Sequence, residues 1–454
     1  MMALLCRLLC RTLMTSHKSY FFAKKGEDKY MSVKKAVLDI HEKPTIPQWL
    51  ILSIQHLFAM FGSTVLVPRL VGMDPGVALV SSGLGSLAYI LITRGKIPAY
   101  LGSSFTFIAS LQLIGAQFGP GGIMMGTLSV GIVYAIVSLI VYKYGIGWMN
   151  TVLPPIVVGP VIMVIGLSLA PTAAGMAMNT SGGLENYSVQ SLIVAAVTLA
   201  VTIFTMMFFK GILSLIPILV GIVAGYIVSI FAGMVDFSQV TSASLFSVPN
   251  FSIPFITDTP VVNASVILLM APLAFVTMAE HMGHQFVLNK ITNRNFFEDP
   301  GLHKSLLGDG TASIIASLIG GPPVTSYGEN LGVLAITRVY SIYVIAGAGF
   351  FAVLFGFIGY VSAFINSIPA AVLGGVSFLL FGVIAANGMK ILIDNQVDFD
   401  DNRNLVIASV ILVIGIGGVM LSFGGSGMKL EGMSLAAIIG IIINLVIPKT
   451  KKEA

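Results

Sequence analysis

Charge is scarce in this chain: Asp, Glu, Lys and Arg together make up 9% of its 454 residues. Soluble globular domains carry about 25% charged residues, so soluble enzymes and nucleic-acid binders are poor candidates. Cysteine is almost absent. Cys6 and Cys10 are the only two, both within the first ten residues, which excludes a disulfide scaffold or a cysteine metal cluster. What is abundant is apolar: 56% of residues are hydrophobic and the mean hydropathy is +0.95. The 49 glycines are spread through apolar segments, as close helix packing in lipid favours. The net charge of +5 is modest, and the basic residues sit in short loops and at the two ends. That distribution sets membrane orientation and is no nucleic-acid footprint. The composition is that of an all-α polytopic membrane protein.

The opening stretch, Met1 to Tyr30, lacks the layout of a signal peptide. Arg7 and Arg11 interrupt its apolar run, and Tyr20-Phe21-Phe22 stands just before Lys24 and Lys25. It reads as an upstream extension with the true start at Met31, or else as a cytoplasmic tail.

From Pro47 onward, apolar runs of about 20 residues recur, each long enough to cross about 30 Å of hydrocarbon. Spans are expected near 48–70, 76–93, 98–117, 121–142, 148–170, 189–208, 211–233, 261–285, 304–320, 323–337, 339–359, 364–385, 404–423 and 432–448, fourteen in all. The third opens at Pro98 and the tenth at Pro322-Pro323, with Gly and Ser in their first turns. Lys24, Lys25, Lys34 and Lys35 precede the first span, and Lys449, Lys451 and Lys452 follow the last. Both ends are therefore expected inside the cell. Arg94, Lys96, Lys143, Lys210, Lys290, Arg294, Arg338, Lys390 and Arg403 then also fall inside. Stretches 172–188 and 234–260 hold no Lys or Arg and fall outside; Arg69 and Lys429 are the exceptions.

The chain aligns with itself at an offset of 225 residues. Asp74-Pro75-Gly76 falls on Asp299-Pro300-Gly301, Gly83-x-Gly85 on Gly308-x-Gly310, and Pro98 on Pro323. His56, Phe61, Arg69, Ile90 and Gly95 fall on His281, Phe286, Arg294, Ile315 and Gly320. A second block fits at offset 215, with Pro154 on Pro369, Gly159 on Gly374 and Val161 on Val376. Two halves of seven spans follow. Seven is odd, so the second half enters from the opposite face, giving an inverted 7+7 repeat of the kind common in secondary transporters. The matching broken segments, Pro98–Ser110 and Pro322–Thr337, read as brief extended stretches followed by half-helices. Such backbone survives at membrane depth only when buried in protein or lining a wet cavity. Its free N–H groups suit a polar ligand with carbonyl oxygens.

Acidic side chains inside the spans are few: Glu280, Asp309 and Glu329 stand out. An intramembrane carboxylate costs about 2.5–3.5 kcal/mol or more, so function is the default reading. Glu280 and His284 share one helix face and can share a proton or a ligand. Glu329 follows Gly328 at the start of a half-helix, where the dipole favours negative charge. Asp309, between Gly308 and Gly310, is placed either as a proton relay or as a brace for the neighbouring broken helix. His281 and His56 read as packing histidines. Two carboxylates, a histidine and free backbone N–H groups suit a small neutral ring with N–H donors and carbonyl acceptors. A uracil-like lactam has that pattern, and these features alone do not separate it from xanthine.

Four motifs then resemble one family in order and type. They are Gln55-His56-Leu57-Phe58-Ala59-Met60-Phe61-Gly62, Pro98-Ala99-Tyr100-Leu101-Gly102-Ser103-Ser104-Phe105, Glu280-His281-x-Gly283-His284, and Glu329-Asn330-Leu331-Gly332 continuing to Thr337. Over about 45–448 the chain resembles the nucleobase–ascorbate transporters, most closely their uracil permease branch. The resemblance implies a core domain from 45–143 and 261–359 and a gate domain from 144–233 and 360–448. Residues 1–44 are then an N-terminal extension, 234–260 an outer loop and 449–454 a tail. It implies uracil held by Glu280 and Glu329, with the backbone at Phe105 and Gly328 assisting and Tyr327 and His284 in support; Ser104, beside Phe105, is a further substrate-binding candidate. It further implies proton symport in the cell membrane with Glu280 as the proton carrier; His284 and Asp309, from their places in the spans, are the other coupling candidates. No cofactor beyond the coupling proton and no nucleic-acid partner is expected, and a homodimer is compatible with it. Branches handling xanthine or urate usually carry Gln where Glu329 stands. The rivals are a xanthine or purine symporter, an anion exchanger of similar architecture, and a membrane-embedded enzyme. No nucleophile or metal constellation supports the enzyme.

Overall fold

The computed structural model describes residues 36–179, 186–211, 213–423 and 428–448. The expected N-terminal extension up to residue 35, with both cysteines, and the lysines after residue 448 lie outside the described residues. The first apolar run forms two helices, α1 (Ile46–Ala59) and α2 (Phe61–Val71), bent by 43° at Met60. Asp74 caps α3 (Pro75–Ile92), its carboxylate accepting from the Gly76 N–H, with proline in the first turn where a missing N–H costs nothing. β1 (Leu101–Ser103) and a tight turn at Phe105–Phe107 lead into α4 (Ile108–Tyr144), kinked at Gly119 before Pro120. Then come α5 (Pro155–Ser168), α6 (Ala170–Met178), α7 (Val189–Phe208), α8 (Pro217–Phe231) and α9 (Ala264–Thr292).

The second part runs through α10 (Leu302–Leu318), β2 (Val324–Ser326), α11 (Gly328–Thr337), α12 (Ile342–Gly356), α13 (Gly359–Ser367) and α14 (Ala370–Asp394). It ends with α15 (Asn402–Ile416), β3 (Met420–Phe423), β4 (Met428–Glu431) and α16 (Gly432–Val446). The protein is thus mainly helical, with two small antiparallel pairs. Among the described residues six helices are long and apolar enough to cross a membrane, or seven if α1 and α2 count as one. Helices α8, α12, α15 and α16 are also apolar but shorter.

Two expected spans end differently. The run 404–423 leaves the helix at Ile416, because Gly417-Gly418 follows and Gly418 takes a φ of +66°; residues 420–423 then pair as a strand. Apolar composition cannot tell such a strand from a helix end. The run 364–385 is split at Pro369, so that α13 is separate and α14 continues to Asp394. Arg69, an exception to the charge rule, is partly buried on α2 and donates from its guanidinium to the side-chain oxygen Oδ1 of Asn366 on α13 at 3.4 Å.

β1 and β2 pair antiparallel, Leu101 with Ser326 and Ser103 with Val324, so the two broken segments meet each other. Two packed bodies face across them. α3, α4, α10 and α12 pack together around the strand pair, and α5, α7, α8 and α14 form a second group. At the end of α11 the segment Val37–Ile40 lies along residues 338–342, with Val37 N–H donating to Arg338 O and Tyr340 N–H to Leu38 O. Lys96 and Asp299 join the loops after α3 and before α10, and that lysine holds the Asp299 carboxyl below the usual carboxylate range.

Candidate functional site

A cavity of about 280 Å³ lies between the two bodies. One wall comes from the broken segments and α9: Ser104, Phe105 and Thr106, then Thr325 to Glu329, with Glu280 and His284 beside them. The opposite wall comes from α5 and α14: Ile162, Ile165, Leu380, Val383, Ile384 and Asn387.

Each polar group arrives by a local rule. Glu280 and His284 are one turn apart on α9, and their facing atoms, Oε1 and Nε2, are 3.8 Å apart. That is within ion-pair reach but too long for a hydrogen bond. Glu329 stands in the first turn of α11, next to N–H groups that have no partner within the helix. β2 delivers the chain to that helix in extended form, and Tyr327 lies at its N-terminal boundary. The Tyr327 hydroxyl donates to the Ser103 carbonyl at 2.9 Å, so it braces one broken segment against the other. Gly102 makes room for that ring; a Cβ there would come within 2.5 Å of it.

The candidates Glu280, Glu329, Phe105, Gly328, Tyr327, Ser104 and His284 therefore all border one cavity. Asp309 does not; it is fully buried behind β2, 3.0 Å from His281. His281 is equally enclosed, and His56 is buried on α1. Sequence reasoning passed over the second wall. Leu380, Val383, Ile384 and Asn387 follow the i, i+3, i+4, i+7 pattern of one helix face. A lone Asn in that apolar stripe was the available signal. Phe381, on the same helix, meets the Phe105 ring edge-on at 6.3 Å. Among the described residues no group of three or more His, Cys, Asp or Glu could hold a metal ion.

The arrangement offers two carboxylates and a half-helix N-terminus on one side and aliphatic surface on the other. It suits a small flat polar ring. Residues 47–423 match the Permease family. The chain is 54% identical over 425 residues to the uracil permease of Bacillus subtilis (strain 168), covering 93% of this chain and 98% of that one. It is 56% identical over 423 residues to the uracil permease of Bacillus caldolyticus, covering 93% and 97%. In fold it is similar to the transmembrane domain of a cyanobacterium bicarbonate transporter, with a TM-score of 0.61 at 14% identity, covering 89% and 98%.

Proposed function

The chain belongs to this permease family, the nucleobase–ascorbate transporters, and from that premise we propose that it imports uracil in symport with a proton. It is a transporter and not an enzyme. The observation that carries the reading is the meeting of Glu280, Glu329 and the first turn of α11 around one small cavity. Uracil presents two N–H donors and two carbonyl acceptors. Carboxylates accept from the first, and backbone N–H groups at Phe105 and Gly328 donate to the second. Ser104 and Tyr327 hold the broken segments in place around the ring. The relatives named as uracil permeases support uracil, as does Glu329, since a glutamine would donate as well as accept. A xanthine or purine symporter is the rival within the family. An anion carrier of the same fold is disfavoured by two carboxylates at the cavity, because like charges repel.

Transport runs by alternating access in this reading. Fourteen spans form the inverted 7+7 repeat, and the core domain (45–143 and 261–359) moves against the gate domain (144–233 and 360–448). Both termini face the inside of the cell. Glu280 carries the proton, and His284 exchanges or orients it. A protonated Glu280 can donate to a ring carbonyl while its other oxygen accepts an N–H. Proton and substrate then favour the same conformation, which is what couples them.

The test is uptake of labelled uracil into proteoliposomes under an imposed pH gradient, with xanthine, thymine and 5-fluorouracil as competitors. Uracil should accumulate against its gradient, and excess xanthine should leave it nearly unchanged. Equal competition by xanthine would move the assignment to the purine branch; no uracil uptake would remove it.

A further inference from the structure

Behind the cavity lies a second polar cluster that substrate binding leaves without a task. Asp309 on α10 and His281 on α9 have side chains only 0% and 1% exposed, and Oδ2 of the first is 3.0 Å from Nδ1 of the second. The same ring nitrogen is 2.8 Å from the Ser326 hydroxyl on β2, and Nε2 is 2.9 Å from the Ser305 hydroxyl on α10. The Ser326 backbone N–H points to the Asp309 carboxyl at 3.4 Å. One ring and one carboxyl thus join three elements: the helix bearing Glu280, the helix before the second broken segment, and the strand leading to Glu329.

We propose that Asp309 and His281 are positioning residues that fix β2 and the start of α11 against α9, and that the hydrogen they share stays in place during transport. The inference rests on the uracil-transport reading above and assigns to that site its supporting frame.

Three observations carry it. The side-chain route from Glu280, the proposed proton carrier, to Asp309 is open at two places: Glu280 to His284 at 3.8 Å, and His284 Nδ1 to Ser326 Oγ at 3.5 Å. Proton transfer needs shorter contacts, and the short ones all lie on the far side of Ser326. Second, α10 is wedged. A Cβ on Gly308 would come within 2.5 Å of the Tyr89 ring, and one on Gly310 within 2.7 Å of Tyr134. Tyr89 and Tyr134 thus pack directly against the helix on the two residues that flank Asp309. Third, among the described residues no lysine or arginine is found against the pair to balance a change of charge. The titratable groups facing the pair are Tyr89, edge-on to His281 at 6.4 Å, Tyr134, and Glu280 and His284 on α9. Asp309 Oδ1 has no hydrogen-bond partner among the described residues. A group that gains and loses charge each cycle would be left uncompensated there.

Two substitutions separate positioning from coupling. Asp309→Asn keeps the size and can still bond His281 Nδ1, but it cannot titrate; Asp309→Ala removes the bond. Labelled-uracil exchange and pH-gradient-driven accumulation are measured in proteoliposomes for each variant. The Asn variant should keep the wild-type pH profile and an accumulation-to-exchange ratio within about twofold, while the Ala variant raises KM about tenfold with a smaller change in maximal rate. An Asn variant that exchanges uracil but no longer accumulates it would make Asp309 a proton station and overturn the proposal. So would an Ala variant with unchanged KM. Amide hydrogen exchange at 101–103 and 324–326 gives a readout that needs no substrate. Protection should drop in the Ala variant and persist in the Asn variant, and unchanged protection in both would again overturn it. If the wild type moved no uracil, the transport reading would fall, and this last measurement would still decide the positioning role.

Discussion

The two walls of the cavity differ in kind. One carries Glu280 and His284 from α9, and Glu329 at the start of the half-helix that follows the paired strands. The other offers Ile162, Ile165, Leu380, Val383 and Ile384, with Asn387 as its only polar side chain. Directional bonds recognise a ligand but resist sliding; aliphatic surface contributes contact that varies little with orientation. A transporter whose halves must part and rejoin gains from this division. In the proposed alternating-access cycle, recognition would stay with one body while the other closed over it without breaking hydrogen bonds of its own. On the proposed reading, the polar wall governs which ring binds and whether the proton follows, and the aliphatic wall governs how much room remains.

The largest expected effect tests coupling on the polar wall. Glu280→Gln imitates the protonated carboxyl permanently, so accumulation under a pH gradient should disappear while uracil exchange falls far less. Should the variant still concentrate uracil in response to the gradient, His284 becomes the better proton carrier. Next comes recognition. Glu329→Gln turns one acceptor into a donor facing a ring N–H, and uracil binding should weaken by about 1.5–3 kcal/mol, tenfold or more. Unchanged affinity in the purified variant would remove Glu329 from the site.

On the aliphatic wall, Ile384→Ala should cost uracil about 1 kcal/mol in lost contact while improving the relative affinity of larger rings. Competition by xanthine and thymine measures that shift, and a loss as large as that of Glu329→Gln would erase the contrast between the walls. The smallest effect is expected at Asn387, which is exposed on the C-terminal half of α14. Replacement by Ala should alter uracil binding by about 0.5 kcal/mol or less, two- to threefold. A tenfold loss measured by equilibrium binding would show that the second wall also reads the ring.

Much of the polar wall was legible before folding. Proline followed by Gly and Ser marked both broken segments, and Glu280 with His284 was visible as an i, i+4 pair. Glu329 was marked by its place after Gly328. These are local signals, carried by residues within a few positions of one another. The strand ending α15 was not legible, since Met420 to Phe423 is as apolar as the helix before it. Nor was Tyr327 legible as a brace, because its partner, the Ser103 carbonyl, is 224 residues away.

By itself, the sequence settled the membrane class, the broken segments and the intramembrane carboxylates. Hydropathy, proline and charge act on the chain nearest to them, so their consequences can be read in order. Only the tertiary structure decided that β1 pairs with β2, that α5 and α14 supply the aliphatic wall, and that Asp309 faces His281 away from the cavity. Those outcomes depend on how helices distant in sequence pack, and a buried carboxyl looks the same in sequence whether it meets a ligand or a neighbouring side chain.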